Sequence, residues 1–552
     1  MDSATAGVGE RASRVARRVF GIEALKPAQL DAISAVEQGD DVLAVMPTGY
    51  GKSAIYQVAA HLLDGPAVVV SPLIALQLDQ VRHIAAATGE ESAVAINSQQ
   101  GERATERSWQ AVASGEAEFI FLAPEQLARD EVMQELAEVG VSLFVVDEAH
   151  CVSSWGHDFR PDYLRLGDVI AALGHPRTLA LTATGSSPVR AEIIERLGMR
   201  TPRVLVGGFD RPNVHLAVVR HESDRDKTES VIDRVVRSAH PGLLYAATRA
   251  DTETLAEELA GRGLRAAYYH AGMGTRLRRE THERFLADEF DVVVATSAFG
   301  MGIDKPNVRF VVHADITESL DAYYQEVGRS GRDGERAEAT LHYRAEDLGL
   351  RRFFAGGSPD RDRVLAVDEA IAAEGGGASV NDIAASTAMA ARTVQNIVNL
   401  LREAALIRVG EDGRCQRLPR AASTDAATAV EEVVERRIRI AESRLAMIRG
   451  YAETERCRRQ FLLEYFGDEL TEPCGNCDTC ESGTAYEFAA VEAAETAPDD
   501  GFRLDQPVRH STWGEGRVMS IEPDRITVFF DEGGYRVLSR EIVDDGDLLE
   551  AI

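Results

Sequence analysis

The feature that most limits the fold of this chain is an alternation sustained from residue 11 to about residue 350. Short apolar, β-rich runs are separated by helical stretches. The first series is Asp41–Met46, Ala67–Ser71, Phe119–Ala123, Leu143–Asp147 and Thr178–Thr182. The second is Leu243–Tyr245, Ala267–Tyr269, Val292–Ala295, Phe310–His313 and Thr340–Tyr343. Strands divided by helices read as βαβ units and buried parallel sheet, so two series predict two similar α/β lobes. The turn-rich segment GGFDRPN (207–213) is the candidate link between them. A chain of 552 residues has room for more; at ordinary domain sizes it holds about three to five domains.

The pattern changes after residue 350. Asn381–Ser386 and Ala391–Glu403 have apolar positions at helical spacing, and Leu406–Val409 is β-like. That outline predicts a winged helix-turn-helix. Residues 425–466 read as helical and end in a cysteine-rich turn. Residues 481–500, rich in Ala, Glu, Ser and Thr without periodicity, read as a linker. The last stretch carries short alternating strands around Gly514, Gly516 and Gly533–Gly534, which predicts a small β-barrel.

Composition narrows the function classes. Apolar residues make up 45% and charged residues 27%, which excludes wholesale disorder and fibrous structure. No run of about 18 apolar residues is present, so no membrane span is expected. Met1 to Glu10 has no apolar core, so secretion through a signal peptide is not expected. The net charge of −30 disfavours passive coating of nucleic acid, so any such contact must come from a local basic track. Lys26, Lys52, Lys227 and Lys305 are the only lysines.

Val42–Met46 runs into Pro47-Thr48-Gly49-Tyr50-Gly51-Lys52-Ser53. A glycine-rich turn between a strand and a helix points successive backbone N–H groups at a phosphate. Lys52 supplies a point charge for the β- and γ-phosphates and Ser53 a hydroxyl for Mg²⁺. The strict pattern has Gly where Met46 stands, and the bland reading is a plain glycine turn. About 95 residues further on, an apolar strand delivers Asp147 and Glu148 to its C-terminal end, where α/β sheets bind ligands. Asp147 would hold Mg²⁺ and Glu148 would polarise the attacking water. The second series offers Arg329 and Arg332 in QEVGRSGR (325–332). Three apart, they share a face if the stretch is helical, and would answer γ-phosphate charge; the alternative is a solvated basic helix end.

Cys457, Cys474, Cys477 and Cys480 have the spacing C-x16-C-x2-C-x2-C. Four thiolates with no open position mean a structural Zn²⁺ worth on the order of 10 kcal/mol of local folding energy. An iron–sulfur cluster is the rival. Cys151 and Cys415 are left as core thiols.

MPTGYGKS (46–53), DEAH (147–150), LTAT (181–184), VVVATSAFGMGIDKPNVRFVVH (292–313) and YYQEVGRSGRDG (323–334) resemble the ordered motifs of superfamily 2 helicases. SPLIALQLDQV (71–81) and CVSSWGHDFRPDY (151–163) make the finer resemblance one to RecQ DNA helicases, continuous over 15–350. The cysteine segment 457–480 resembles the RecQ zinc module. This resemblance implies two RecA-like doubly wound lobes binding ATP with Mg²⁺ through Thr48, Gly49, Gly51, Lys52, Ser53, Asp147, His150, Thr182, Thr184, Gly302 and Asp304, with Gln325 beside the arginines. It implies that Gln29 reads adenine next to Lys26, where relatives carry Arg, and near Ile22, where relatives carry an aromatic residue. It places Trp155, His157, Phe159 and Arg160 in a loop that senses single-stranded DNA; aromatic faces stack on bases without sequence preference. Thr182 and Thr184 resemble the motif that couples the lobes.

The winged-helix segment precedes the zinc module, unlike the usual RecQ order. Its Arg392, Thr393, Gln395 and Asn396 could touch DNA, but Glu374, Asp382, Glu403, Glu411 and Asp412 make the neighbourhood acidic. DNA binding and a spacer role are both open. Residues 507–543 resemble the Tudor-like, SH3-like barrel of UvrD and PcrA helicases, with Val508, His510, Trp513, Gly514, Gly516 and Val518 matching. In those proteins the barrel docks RNA polymerase or other partners; the alternative is a passive cap. The combination resembles actinobacterial RqlH-type helicases. The expected organisation is a flexible tail (1–14), an ATP-binding lobe (15–207), a second lobe (208–350), a winged-helix-like domain (351–420), a helical four-cysteine zinc module (421–482), a linker (483–502) and a barrel (503–552). The expected activity is ATP-dependent 3′-to-5′ unwinding of single-strand-tailed and forked DNA in repair or recombination, in the cytoplasm at the nucleoid. The alternatives are a DNA-stimulated translocase that does not unwind and a non-enzymatic regulator binding DNA and polymerase.

Overall fold

A computed structural model describes the chain except residues 1–2, 73, 90–91, 98–99, 154–159, 300–304, 350, 352–358, 375–376, 411–412, 420–423, 496–501, 504–505, 522–524, 531–532 and 546–547. The expectations for Trp155, His157, Phe159, Gly302, Asp304, Glu411 and Asp412 lie outside the described residues.

The first lobe is built on seven parallel strands: β1 Val42–Val45, β2 Ala67–Val70, β3 Ala93–Ile96, β4 Phe119–Leu122, β5 Leu143–Val146, β6 Arg177–Thr182 and β7 Arg203–Val206. They lie in the order β3-β4-β2-β5-β6-β1-β7. Alternate residues of a strand point to opposite faces. Here both faces are covered: Leu43, Val45, Phe144 and Val146 enter one core, while Val42, Ala44, Leu143 and Val145 enter another. That double burial explains why these strands read as unbroken apolar runs. Because β5, β6 and β1 are neighbours, the loops after Val146, Thr182 and Val45 emerge side by side.

The second lobe has six parallel strands: β8 Val214–Arg220, β9 Gly242–Tyr245, β10 Ala266–Tyr269, β11 Val292–Ala295, β12 Phe310–His313 and β13 Ala337–Tyr343. Their order is β10-β11-β9-β12-β13-β8. The segment 207–213 joins the lobes as expected, but it is not a bare tether, since Phe209 is buried.

Two segments expected to lack structure are helical. The sequence predicts a flexible tail over residues 1–14, yet Ser3–Arg18 is a helix. Val8, Ala12 and Ala16, four apart, are buried on the face turned to helices Pro27–Gln38 and Lys52–Leu62. Small residues let these helices approach closely, which a count of large apolar residues overlooks. Within the expected linker 483–502, Thr484–Glu495 is a helix.

The winged-helix expectation matches. Helices Arg361–Ala373, Val380–Thr387 and Ala391–Glu403 precede an antiparallel hairpin of β14 Ile407–Val409 and β15 Cys415–Arg417. Val394, Ile397, Val398 and Leu401 form its core with the start of the 28-residue helix Ala426–Glu453. Arg392, Gln395 and Asn396 are exposed on the opposite face.

The C-terminal unit is a five-stranded antiparallel sheet of β16 Pro507–His510, β17 Gly514–Ile521, β18 Arg525–Phe530, β19 Gly534–Ser539 and β20 Leu549–Ala551, in the order β19-β18-β17-β16-β20. Trp513 packs against its core and stacks on His510 at 4.1 Å. Gly516 is required by closeness: a Cβ there would lie 2.5 Å from the Phe529 carbonyl oxygen. The unit is docked on the helices Ala426–Glu453 and Arg458–Phe466. Tyr535 is buried, its N–H donates to Ser443 Oγ at 2.5 Å, and its ring lies 5.9 Å from Tyr465.

Candidate nucleotide site and metal centre

The loop after β1 turns at Gly49 and Gly51, with φ of 81° and 90°. Gly51 caps the helix that begins at Lys52, so the first free N–H groups of that helix face the loop. Lys52 donates from Nζ to the Met46 carbonyl at 3.0 Å. Burial lowers its pKa, Glu148 and Asp147 act in the opposite sense, and Arg332 adds to the lowering. Gln29 holds this loop from the side: its amide donates to the carbonyls of Gly51 (2.8 Å) and Tyr50 (3.2 Å), and its oxygen accepts from the Lys26 N–H (2.8 Å). The Lys26 ammonium lies 4.1 Å from the centre of the Tyr50 ring, a cation–π contact. Tyr50 in turn needs Gly208, where a Cβ would lie 2.4 Å from the ring. Sequence reading passes over Tyr50; an aromatic inside a glycine loop is the available signal.

β5 ends at Val146 and presents Asp147, whose N–H bonds the Val70 carbonyl. Burial, and next Glu148, push the Asp147 carboxyl up to about 7, against the pull of Lys52. Glu148 has φ of 50°, a left-handed conformation that costs a non-glycine residue about 1–3 kcal/mol. The buried His150 reaches Thr182 Oγ1 at 3.0 Å and Glu148 Oε2 at 3.3 Å through Nδ1. Thr182 donates its hydroxyl to the Thr184 carbonyl at 2.6 Å. The DEAH and LTAT segments are therefore hydrogen-bonded to each other.

From the second lobe come the arginines, with a difference from the helical reading. Helix Leu320–Val327 carries Gln325, partly buried, and stops before Arg329. Arg329 and Arg332 sit in the turns that follow, where Gly331 has φ of 55°. A turn frees the two side chains from sharing one face. Arg329 is buried beside Tyr245. Arg332 crosses to the first lobe, where its Cδ would lie 3.5 Å from a Cβ at Gly49. Arg211, in the link between lobes, fixes these turns by donating to the carbonyls of Ser330 (2.7 Å) and Gly331 (2.9 Å), and Asn213 donates to Gly331 as well (2.8 Å). Neither residue stands out in the sequence. The site is thus Lys52, Asp147 and Glu148 from one lobe faced by Arg332 from the other. Arg160 donates from one guanidinium nitrogen to the Pro72 carbonyl at 3.0 Å, which joins the 71–81 and 151–163 segments.

The four Sγ atoms of Cys457, Cys474, Cys477 and Cys480 all lie within 4.8 Å of one another, with two pairs at 4.0 Å. Thiolates about 2.3 Å from Zn²⁺ at tetrahedral corners are about 3.8 Å apart, so the set fits that ion. The N–H groups of Cys474 and Asn476 donate to Cys457 Sγ and Cys474 Sγ, each at 3.3 Å, and would offset thiolate charge. The module is fastened to the second lobe: Arg459 donates to the Val214 carbonyl (2.7 Å), the Val218 N–H donates to Asp478 (2.9 Å), and Phe466 stacks on Phe209 at 4.8 Å.

Two parallel-sheet lobes meeting at a phosphate loop, a DEAH strand end and crossing arginines define the class of two-lobed helicase motors. Residues 26–191 match the DEAD/DEAH box helicase family, 226–334 the helicase conserved C-terminal domain and 420–481 the RecQ zinc-binding domain. A relative named probable ATP-dependent DNA helicase RecS, from Bacillus subtilis, is 32% identical over 490 residues, spanning 88% of this chain and 94% of its own. ATP-dependent DNA helicase RecQ of Pasteurella multocida is 33% identical, spanning 84% of this chain but 61% of its own length. The Bacillus subtilis RecQ is 38% identical over 62% of this chain and 58% of its own. The chain belongs to the RecQ helicase family. The DNA-bound structure of the DUF1998 helicase MrfA, 16% identical, covers 78% of this chain and 64% of its own with a TM-score of 0.51, a likeness of fold alone. The family implies ATP and a divalent cation, and the four-cysteine set suggests zinc. No helix among the described residues is long and apolar enough to cross a membrane.

Proposed function

We propose that the chain hydrolyses ATP with Mg²⁺ between its lobes and uses the cycle to move 3′-to-5′ along one DNA strand, unwinding the duplex ahead. The observation that carries this reading is Arg332, which reaches from one lobe over Gly49 of the other, beside Lys52. A site completed across two bodies is one whose chemistry is linked to their relative motion.

In this reading Lys52 neutralises the β- and γ-phosphates, while Ser53 and Asp147 hold Mg²⁺, which supplies charge neutralisation across the phosphates. Thr48, Gly49 and Gly51 present backbone to the phosphates. Glu148 orients the attacking water, and His150, bonded to Thr182, holds Glu148 in place. Arg332, with Arg329 behind it and Gln325 on the adjoining helix, answers charge that develops on the γ-phosphate. Gln29 and Lys26 flank the nucleobase. The four cysteines hold a structural Zn²⁺ that does no chemistry. The strand runs over both lobes near Arg160, and the preferred substrates are single-stranded and forked DNA. The C-terminal unit offers helix Arg540–Asp545, where Ile542 is exposed, to RNA polymerase or a repair protein. The setting is the nucleoid of the cytoplasm, in repair or recombination.

A forked duplex with one labelled strand tests the reading. Strand displacement with ATP on a 3′ tail, and none on a 5′ tail, is expected. ATP turnover without displacement on either tail would replace the helicase with a translocase.

A further inference from the structure

Helix Ser187–Arg196 of the first lobe follows directly on the LTAT loop, and it makes two polar contacts that the nucleotide site does not use. Arg190 donates from one nitrogen to the Gly185 carbonyl at 3.1 Å and to the Phe466 carbonyl at 2.9 Å. Two residues on, Glu192 accepts from the buried Ser153 hydroxyl at 2.7 Å, and Ser153 directly follows the short helix Ala149–Val152. Phe466 is the last residue of helix Arg458–Phe466, where carbonyls lack helical partners and the helix dipole is negative, so a guanidinium is favoured there. The approach is close: a Cβ at Gly467 would lie 3.1 Å from the Arg190 guanidinium.

What lies behind Phe466 matters most. Its ring stacks on Phe209 at 4.8 Å and contacts Tyr324 at 4.8 Å, and Tyr324 is on the helix that leads to Arg329 and Arg332. Tyr465 beside it donates to Asp321 on that same helix at 2.5 Å. Phe466 and Tyr465 are therefore packed directly on the helix that leads to the arginine turns. On the other side, the Gly185 carbonyl that Arg190 also binds adjoins Thr184, which is bonded to Thr182 and through it to His150. Arg190 closes a path of hydrogen bonds and ring contacts from the DEAH segment, across the lobe boundary, to the helix that leads to the arginine turns, and this path runs through the zinc module rather than through the nucleotide.

Resting on the motor reading above, we propose that Arg190 is a positioning residue that couples the two halves of the ATP site through the zinc module, setting where Arg332 stands relative to Lys52 when DNA is bound. The role belongs to catalytic rate and not to binding of either ligand. It also assigns the zinc module a part in the hydrolytic cycle besides its structural one.

The test uses the full chain with Arg190→Ala and Arg190→Lys, measuring zinc content, single-stranded oligonucleotide affinity, and kcat and KM for ATP with and without oligonucleotide. In Arg190→Ala, zinc, oligonucleotide affinity and KM should stay within about twofold, while DNA-stimulated kcat falls about tenfold, the effect of losing one charge-assisted bond. Arg190→Lys, which keeps a donor for the Phe466 carbonyl, should recover part of the rate. DNA-stimulated kcat unchanged in Arg190→Ala would overturn the proposal. So would a loss of zinc and of oligonucleotide binding in parallel with rate, unrelieved by lysine, because that is the behaviour of a packing residue. If the unmodified chain itself hydrolysed no ATP with DNA, the motor reading would fall first and this inference with it.

Discussion

Asp147 is the residue whose chemistry is most sensitive to conditions. Burial and Glu148 raise its carboxyl to about 7, so below that pH the protonated form dominates and a cation must displace the proton. Apparent Mg²⁺ affinity should therefore fall about tenfold per pH unit below 7, measurable by calorimetric titration of the nucleotide-free chain; affinity flat with pH would contradict the assignment. For stability the sign is opposite. A carboxyl raised above its ordinary 3.8 binds its proton more tightly when folded, so this group's contribution weakens as pH climbs toward 7. Lys52→Ala should lower ATP turnover at least about a hundredfold, with the circular dichroism spectrum unchanged. At this scale the sequence is most informative where a residue type and a position each demand the same chemistry, as for Lys52 and the Asp147–Glu148 pair. It is silent on Tyr50, on Arg211, which serves carbonyls 119 and 120 residues away, and on Arg190, which serves one 276 residues away. No local pattern marks a residue that serves a distant carbonyl.

Among the elements, the strands with both faces buried are legible because nothing interrupts their apolar runs. The ones missed are β3, β7 and β8. β7 is an edge strand with Arg203 and Val204 exposed, so its run is diluted by solvent-facing residues. β8 ends in exposed residues for the same reason. The N-terminal helix escapes because its buried face is made of Ala and Val spaced by four in a segment that is otherwise polar. The arginine turns read as helix only while three-residue spacing is taken without weighing Gly328 and Gly331. Two changes test the element-level account. Gly516→Ala should destabilise the C-terminal sheet by about 1–3 kcal/mol, seen as faster amide exchange in β17 and β18 with ATP turnover retained. Cys474→Ser should lose the metal on elemental analysis and open residues 457–482 to limited proteolysis, since the metal supplies on the order of 10 kcal/mol there. Retained metal and protease resistance would remove the four-cysteine centre from the account.

For the whole molecule, the lobes are not two bodies on a tether. The zinc module is bonded to the second lobe through Arg459, Asp478 and Phe466, and it touches the first through Arg190. The C-terminal sheet joins the same assembly through Tyr535. The winged-helix unit contacts the first lobe through Arg402 and Asp162 at 3.1 Å. None of these dockings can be read along the chain, because each depends on which surfaces face one another once the lobes have closed. The central claim is that ATP is cleaved across the lobe boundary and that DNA governs the cleavage. Steady-state ATP turnover titrated with a single-stranded oligonucleotide, for the unmodified chain and for Arg332→Ala, tests it most directly. The account predicts turnover that rises with oligonucleotide in the first and stays near the background in the second, although oligonucleotide and zinc remain bound. Turnover indifferent to DNA, or undiminished without Arg332, would contradict it.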